Sequence, residues 1–145
     1  MRDFGSVVTI VRTDFEAVYA YKRGDYQRCL QLSTQNVHTL LYYVITNPLV
    51  PEFIQLLDDD IVSLTALTLI VNPKCRRDAV VCCITQLTLS LYLMTQCQLK
   101  LRHSVTSLAQ TLKYINVAQR RTPVKRTLDH LIFKLNERMV SEKLA

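Results

Sequence analysis

Apolar residues return along this chain every three or four positions and seldom every second one. Val8, Val11, Phe15 and Val18 are separated by 3, 4 and 3 residues. Tyr26, Leu30, Val37, Leu41 and Val44 form a second stripe on the far side of Gly24. Spacing of this kind places each set on one face of a helix. Pro51 opens a third candidate helix, in which Phe53, Leu57, Ile61 and Leu64 recur at 4, 4 and 3. Asn72-Pro73 closes it, because proline pushes the preceding residue away from helical angles. Within it, Asp58-Asp59-Asp60 reads as a break, one Asp capping a further turn from Ile61. Three consecutive carboxylates on a helix point in diverging directions, which disfavours a metal site there.

From Asp78 to Leu101 the pattern changes. Val80, Val81, Ile84, Leu87, Leu91 and Met94 make one stripe, while Cys83, Leu89 and Leu93 lie off it. A helix apolar on most sides is a central one, covered by neighbours on at least two. Its Thr, Ser and Gln positions suit burial when their side chains bond locally. Next, Ser104 caps a helix bearing Val105, Leu108, Leu112 and Ile115, and Asn116–Arg121 reads as the connection beyond it. Thr122-Pro123 then reads as an N-cap with proline in the first turn. The stripe after it is Val124, Leu128, Leu131, Ile132, Leu135 and Met139, with Lys125, Arg126, Asp129, Lys134 and Arg138 on the opposite, solvent side. The short linker makes these last two helices antiparallel neighbours.

The expected fold is therefore all-α, with about six antiparallel helices in three hairpins, over a single domain spanning residues 1–145. Only 2 glycines and 4 prolines are present, far fewer turn residues than a sandwich or barrel of this length needs. The five cysteines, Cys29, Cys75, Cys82, Cys83 and Cys97, are odd in number and lack a C-x-x-C spacing. Most sit among apolar residues, where a reduced thiol behaves as a small hydrophobe. That usage favours a reducing compartment, cytoplasmic or nuclear. Ala79–Met94, the longest apolar run, carries Thr85, Gln86, Thr88 and Ser90 and falls short of the roughly 20 apolar residues of a membrane span. No membrane partner is expected.

Charge divides the chain in two. Met1–Asn72 holds 5 basic and 8 acidic residues, net −3, whereas Pro73–Ala145 holds 13 and 4, net +9. The basic residues concentrate at two joints between helices: Lys74, Arg76 and Arg77, then Arg120, Arg121, Lys125 and Arg126. Joints at the same end of alternate helices would share one edge, able to meet an acidic protein or the phosphates of nucleic acid. No aromatic residues interleave with these arginines, so a base-stacking platform is absent from the pattern and nucleic acid is the weaker reading. A solvated basic face is the plainer alternative.

The stretch AYAYKRGDYQRCLQL holds the one local grammar that is specific. Gly24 supplies the left-handed conformation that ends a helix, Asp25 caps the next, Tyr26 packs back across the hairpin, and small Cys29 permits close approach. These residues resemble the tetratricopeptide repeat, over roughly residues 13–37, one repeat of a period near 34. Thr13, Asn36 and the lack of a proline near Leu41 depart from that pattern, and the later hairpins keep only its helix lengths, with Ala109 and Tyr114 in matching places. The resemblance implies a right-handed helical stack or compact bundle, alone or as a piece of a longer repeat protein, that binds a protein segment in a groove lined by first helices. It places Arg12, Glu16, Tyr19 and Arg23 on that groove. Asp14 and Val18 stand where the carboxylate-gripping members carry Lys and Asn, so that subfunction is not implied. An unfinished stack also exposes apolar end faces, which makes self-association a further expectation.

Enzyme chemistry is not expected, nor a cofactor or metal. His38, His103 and His130 lie on separate elements without ligand spacing. The vicinal Cys82-Cys83 has no electropositive setting to lower a thiol pKa. A phosphate-binding glycine loop, a nucleophile elbow and a paired-acid motif are all missing.

Overall fold

The computed structural model describes residues 3–42, 84–124 and 126–144, and among them the fold is all-α. Five helices are present: α1 (Asp3–Lys22), α2 (Tyr26–Tyr42), α3 (Gln86–Lys100), α4 (Val105–Arg121) and α5 (Thr127–Leu144). The expected helix from Pro51, the Asp58–Asp60 run, Cys75, Cys82, Cys83 and the joint at Lys74, Arg76 and Arg77 lie outside the described residues.

The α1–α2 corner follows its residues closely. Gly24 has φ +83°. Its N–H bonds to the Tyr21 carbonyl at 3.0 Å, and the Asp25 N–H bonds to the Ala20 carbonyl at 2.9 Å. This pair of bonds is the Schellman closure, which satisfies carbonyls that a helix end leaves open. Asp25 then caps α2, its carboxylate accepting from the Arg28 N–H at 3.3 Å. Tyr26 returns to α1 and meets Tyr21 edge-on, ring centres 5.8 Å apart. Cys29 is wholly enclosed.

Helix α3 is the axis of the fold. Its residues from Gln86 to Gln98, 13 in a row, are all buried. Helices α1, α2, α4 and α5 each pack on it, which is what an all-round apolar pattern demands. Leu89, Leu91 and Leu93 are fully enclosed, as are Ile132 and Phe133 of α5. Each such side chain contributes roughly 1.5–3 kcal/mol by leaving water. The helix nonetheless begins at Gln86, not at Asp78. Thr85 stands in extended conformation (φ −77°, ψ 160°) and its hydroxyl accepts from the Thr88 N–H.

Three further expectations are corrected. Helix α4 continues through Arg121, so Asn116–Arg121 is helical and the connection is 122–126. Thr122 ends α4: its hydroxyl donates to the Ala118 carbonyl at 2.8 Å, a local bond that competes with capping the next helix. Helix α5 accordingly starts at Thr127, and Val124 is exposed in the link. Finally, Arg126 and Asp129 are buried, not on the solvent side, because they form an ion pair that closes on α3. No helix among the described residues is long and apolar enough to cross a membrane.

Candidate functional site

The buried face of α1 is set by Asp14, Ala17, Val18 and Tyr21. That phase turns Arg12, Phe15, Glu16, Tyr19, Lys22 and Arg23 outward. Phe15 shares its apolar spacing with core residue Val18, yet it is 60% exposed, and Tyr19 is 56% exposed. The two rings are four residues apart and so occupy neighbouring turns of one face. Arg23, a further turn on, lays its guanidinium 4.4 Å from the centre of the Tyr19 ring. Such stacking on an exposed ring is worth about 0.5–1 kcal/mol, and it holds both side chains in a shared orientation. Glu16 faces Arg28 of α2 at 3.5 Å. Both partners are half exposed, so the pair contributes little stability, but it offsets the one acidic charge within the stripe. Arg12, Phe15, Tyr19 and Arg23 thus present two aromatic rings bracketed by two cations.

The second cluster of expected site residues has a different fate. Arg121 donates to the Leu41 carbonyl at 2.6 Å. It thereby satisfies one of the last carbonyls of α2 and places positive charge at that helix's negative end. Arg126 donates through Nε to Asp129 at 2.7 Å. Arg120 is exposed, while the side chain of Lys125 lies outside the described residues. Two of the four arginines and lysines at this joint therefore hold helices together, and the structure brings neither of them to the α1 face.

Two buried carboxylates anchor the start of α3; the sequence pattern puts one of them on the solvent side and the other at a groove position. On one side Asp14 accepts from Gln86 Nε2 and from Ser90 Oγ, the latter reaching both carboxylate oxygens at 2.9 and 2.8 Å. Burial raises its pKa from 3.8 to about 6, against the hydrogen bonds from Gln86, Ser90 and Asn36, which lower it. On the other side Asp129 accepts from the Thr85 N–H at 2.9 Å, from Thr88 Oγ1 at 2.5 Å and from Thr85 Oγ1 at 3.3 Å. Its negative charge sits at the positive end of the α3 dipole. Cys29 and Cys97 meet across the α2–α3 contact. The Cys97 thiol's hydrogen bond, then burial, push the Cys29 thiol well above its ordinary range, so this thiol is a poor nucleophile.

Two of the three histidines act as fasteners. His38 Nε2 and the Tyr114 hydroxyl share a hydrogen bond of 2.9 Å between α2 and α4. His130 Nε2 lies 3.1 Å from the carbonyls of Thr122 and Pro123, which assigns the proton to that nitrogen. Among the described residues no three His, Cys, Asp or Glu side chains converge as a metal site would require. A comparison of the chain with protein-family models, with curated proteins and with solved structures finds no match to any of the three.

Proposed function

We propose that this chain is a non-enzymatic protein-interaction domain, a scaffold or adaptor of tetratricopeptide-like construction, that takes a protein segment on the outward face of α1. The observation that carries this reading is the stripe Arg12, Phe15, Tyr19 and Arg23, with both rings more than half exposed. Tyrosine and arginine are, with tryptophan, the side chains enriched at the energetic centre of interfaces. The tyrosine ring brings much contact area at low entropic cost, and arginine a planar cation that stacks on aromatic rings. The Gly24 turn and the α1–α2 pairing support the repeat-like construction, with α1 as the groove-lining first helix. The partner segment is acidic in this reading, because Arg12, Lys22 and Arg23 are exposed while Glu16 faces Arg28. Contact with nucleic acid through the joint at Arg120–Arg126 has less support, since Arg121 and Arg126 are engaged within the fold. A reduced, cytoplasmic or nuclear setting belongs to the same proposal.

Affinity capture with the intact chain, followed by reconstitution with the purified captured protein, tests it. Tyr19→Ala/Arg23→Ala should weaken the reconstituted complex at least tenfold, whereas Arg120→Ala and Lys113→Ala should not. Backbone amides of 12–23 should gain hydrogen-exchange protection in the complex. Unchanged affinity with the α1 variant would refute the assignment.

A further inference from the structure

Helices α3 and α5 each carry a buried residue whose polar atoms the described protein groups do not satisfy. Asn136 is completely buried, and neither its Oδ1 nor its Nδ2 has a hydrogen-bond partner. The hydroxyl of Thr95, also completely buried, has none either. These two residues are related to a contact that is made. Thr95 lies seven residues after Thr88, and Asn136 seven after Asp129, and Thr88 Oγ1 donates to Asp129 at 2.5 Å.

Seven residues are almost two full turns, so each residue keeps the face of its predecessor. The two helices run parallel here. The Thr88–Asp129 contact near their starts is followed by Gln96 Nε2 on Met139 Sδ at 3.3 Å further along both. Thr95 and Asn136 therefore fall between two established contacts of the same interface, one heptad beyond the threonine–aspartate bond.

We propose that this position is an internal water site, with at least one water molecule bound between Thr95 Oγ1 and the Asn136 amide as an integral part of the fold. Buried polar groups in folded proteins are almost always satisfied, by protein or by ordered water. A water site must be polar, must leave room for the molecule and must offer two to four partners; Thr95 and Asn136 together offer three atoms, with both donors and acceptors. Exchanging the amide oxygen and nitrogen of Asn136 does not alter the conclusion, because both atoms are without partners. Dry apolar packing is excluded by the residue types themselves. A charged ligand is disfavoured: the Arg126–Asp129 ion pair lies one heptad away, and Thr95 and Asn136 are themselves uncharged.

Oxygen-17 relaxation dispersion of water, together with water-to-amide cross-relaxation on the intact chain, reads the site directly. Wild type should show cross-relaxation from a long-lived water to the Asn136 side-chain amide protons. Its dispersion amplitude should exceed that of Asn136→Leu by about one water or more. Thr95→Val, a smaller perturbation, should lower the same amplitude and so serves if Asn136→Leu does not fold. Equal amplitudes in wild type and a folded variant, or an Asn136 amide without long-lived water contact, would overturn the proposal.

Discussion

Replacing Asp14 by asparagine should change how stability depends on pH more than it changes stability at any one pH. Asp14 is enclosed between α1 and α3, and its contacts are neutral donors: Gln86, Ser90 and Asn36. The Cys29 thiol of α2 is a titratable group near it, and Cys97 of α3 lies beside that thiol. Its folded-state pKa is raised from 3.8 to about 6. Between those values the folded chain holds a proton that the unfolded chain has released, so stability falls as pH rises. The loss is complete above pH 6 and amounts to roughly 3 kcal/mol over the whole window, at about 1.4 kcal/mol per pKa unit. Between about pH 4.5 and pH 7.5 the same linkage gives about 2 kcal/mol. The amide of the variant does not titrate. Urea unfolding of wild type and Asp14→Asn across this range isolates the effect, because every other carboxylate cancels in the difference. The variant should gain about 2 kcal/mol on wild type as pH rises, roughly 1 M in midpoint for a slope near 2 kcal/mol/M. A difference that stays flat with pH, or that moves the other way, would refute the argument that burial dominates this carboxylate.

Other substitutions probe the joints. A methyl group at Gly24 meets nothing within 4 Å, so Gly24→Ala isolates the backbone cost of φ +83°. It should lose about 1 kcal/mol, or about 3 °C in melting temperature. Arg102 ends α3 at φ 56° without being glycine, so Arg102→Gly should gain about 0.5 kcal/mol in the same thermal melts. Both changes moving stability in one direction would contradict the left-handed caps. Arg126→Met removes the cation from buried Asp129 and should cost about 3 kcal/mol in chemical unfolding. A cost below about 0.5 kcal/mol would mean that Thr85 and Thr88 suffice.

The parts of this fold legible in the sequence are those written in local chemistry. Gly24-Asp25-Tyr26 encodes a helix end, a cap and a ring contact within three residues, and each is found in place. Ser104 caps α4 in the same way, its hydroxyl accepting from Ser107 N–H. The errors arise where a distant partner outweighs a local preference. Thr85 and Asp129 are 44 residues apart, and their bond starts α3 where the apolar pattern alone runs on. Thr122 carries both a cap-like side chain and a following proline, yet its hydroxyl finds the Ala118 carbonyl first. Apolar spacing assigns Phe15 to the core because it counts hydrophobic side chains and ignores Asp14. The buried phase is Asp14, Ala17, Val18 and Tyr21, one position earlier, and only the donors on α3 make a carboxylate tolerable there. The exposed stripe follows from that shift: Tyr19 and Arg23 are visible from helix position, whereas Phe15 becomes a surface residue only with the register known.

If the outward face of α1 takes a protein segment as proposed, that segment must come within reach of position 19. A photo-crosslinking amino acid at position 19, with a matched control at exposed Gln110 on α4, tests it most directly in cells producing the intact chain. Position 19 should give a discrete adduct that is absent from position 110 and is lost when Arg12→Ala and Arg23→Ala are added. Equal labelling from both positions, or an adduct indifferent to the two arginines, would contradict it.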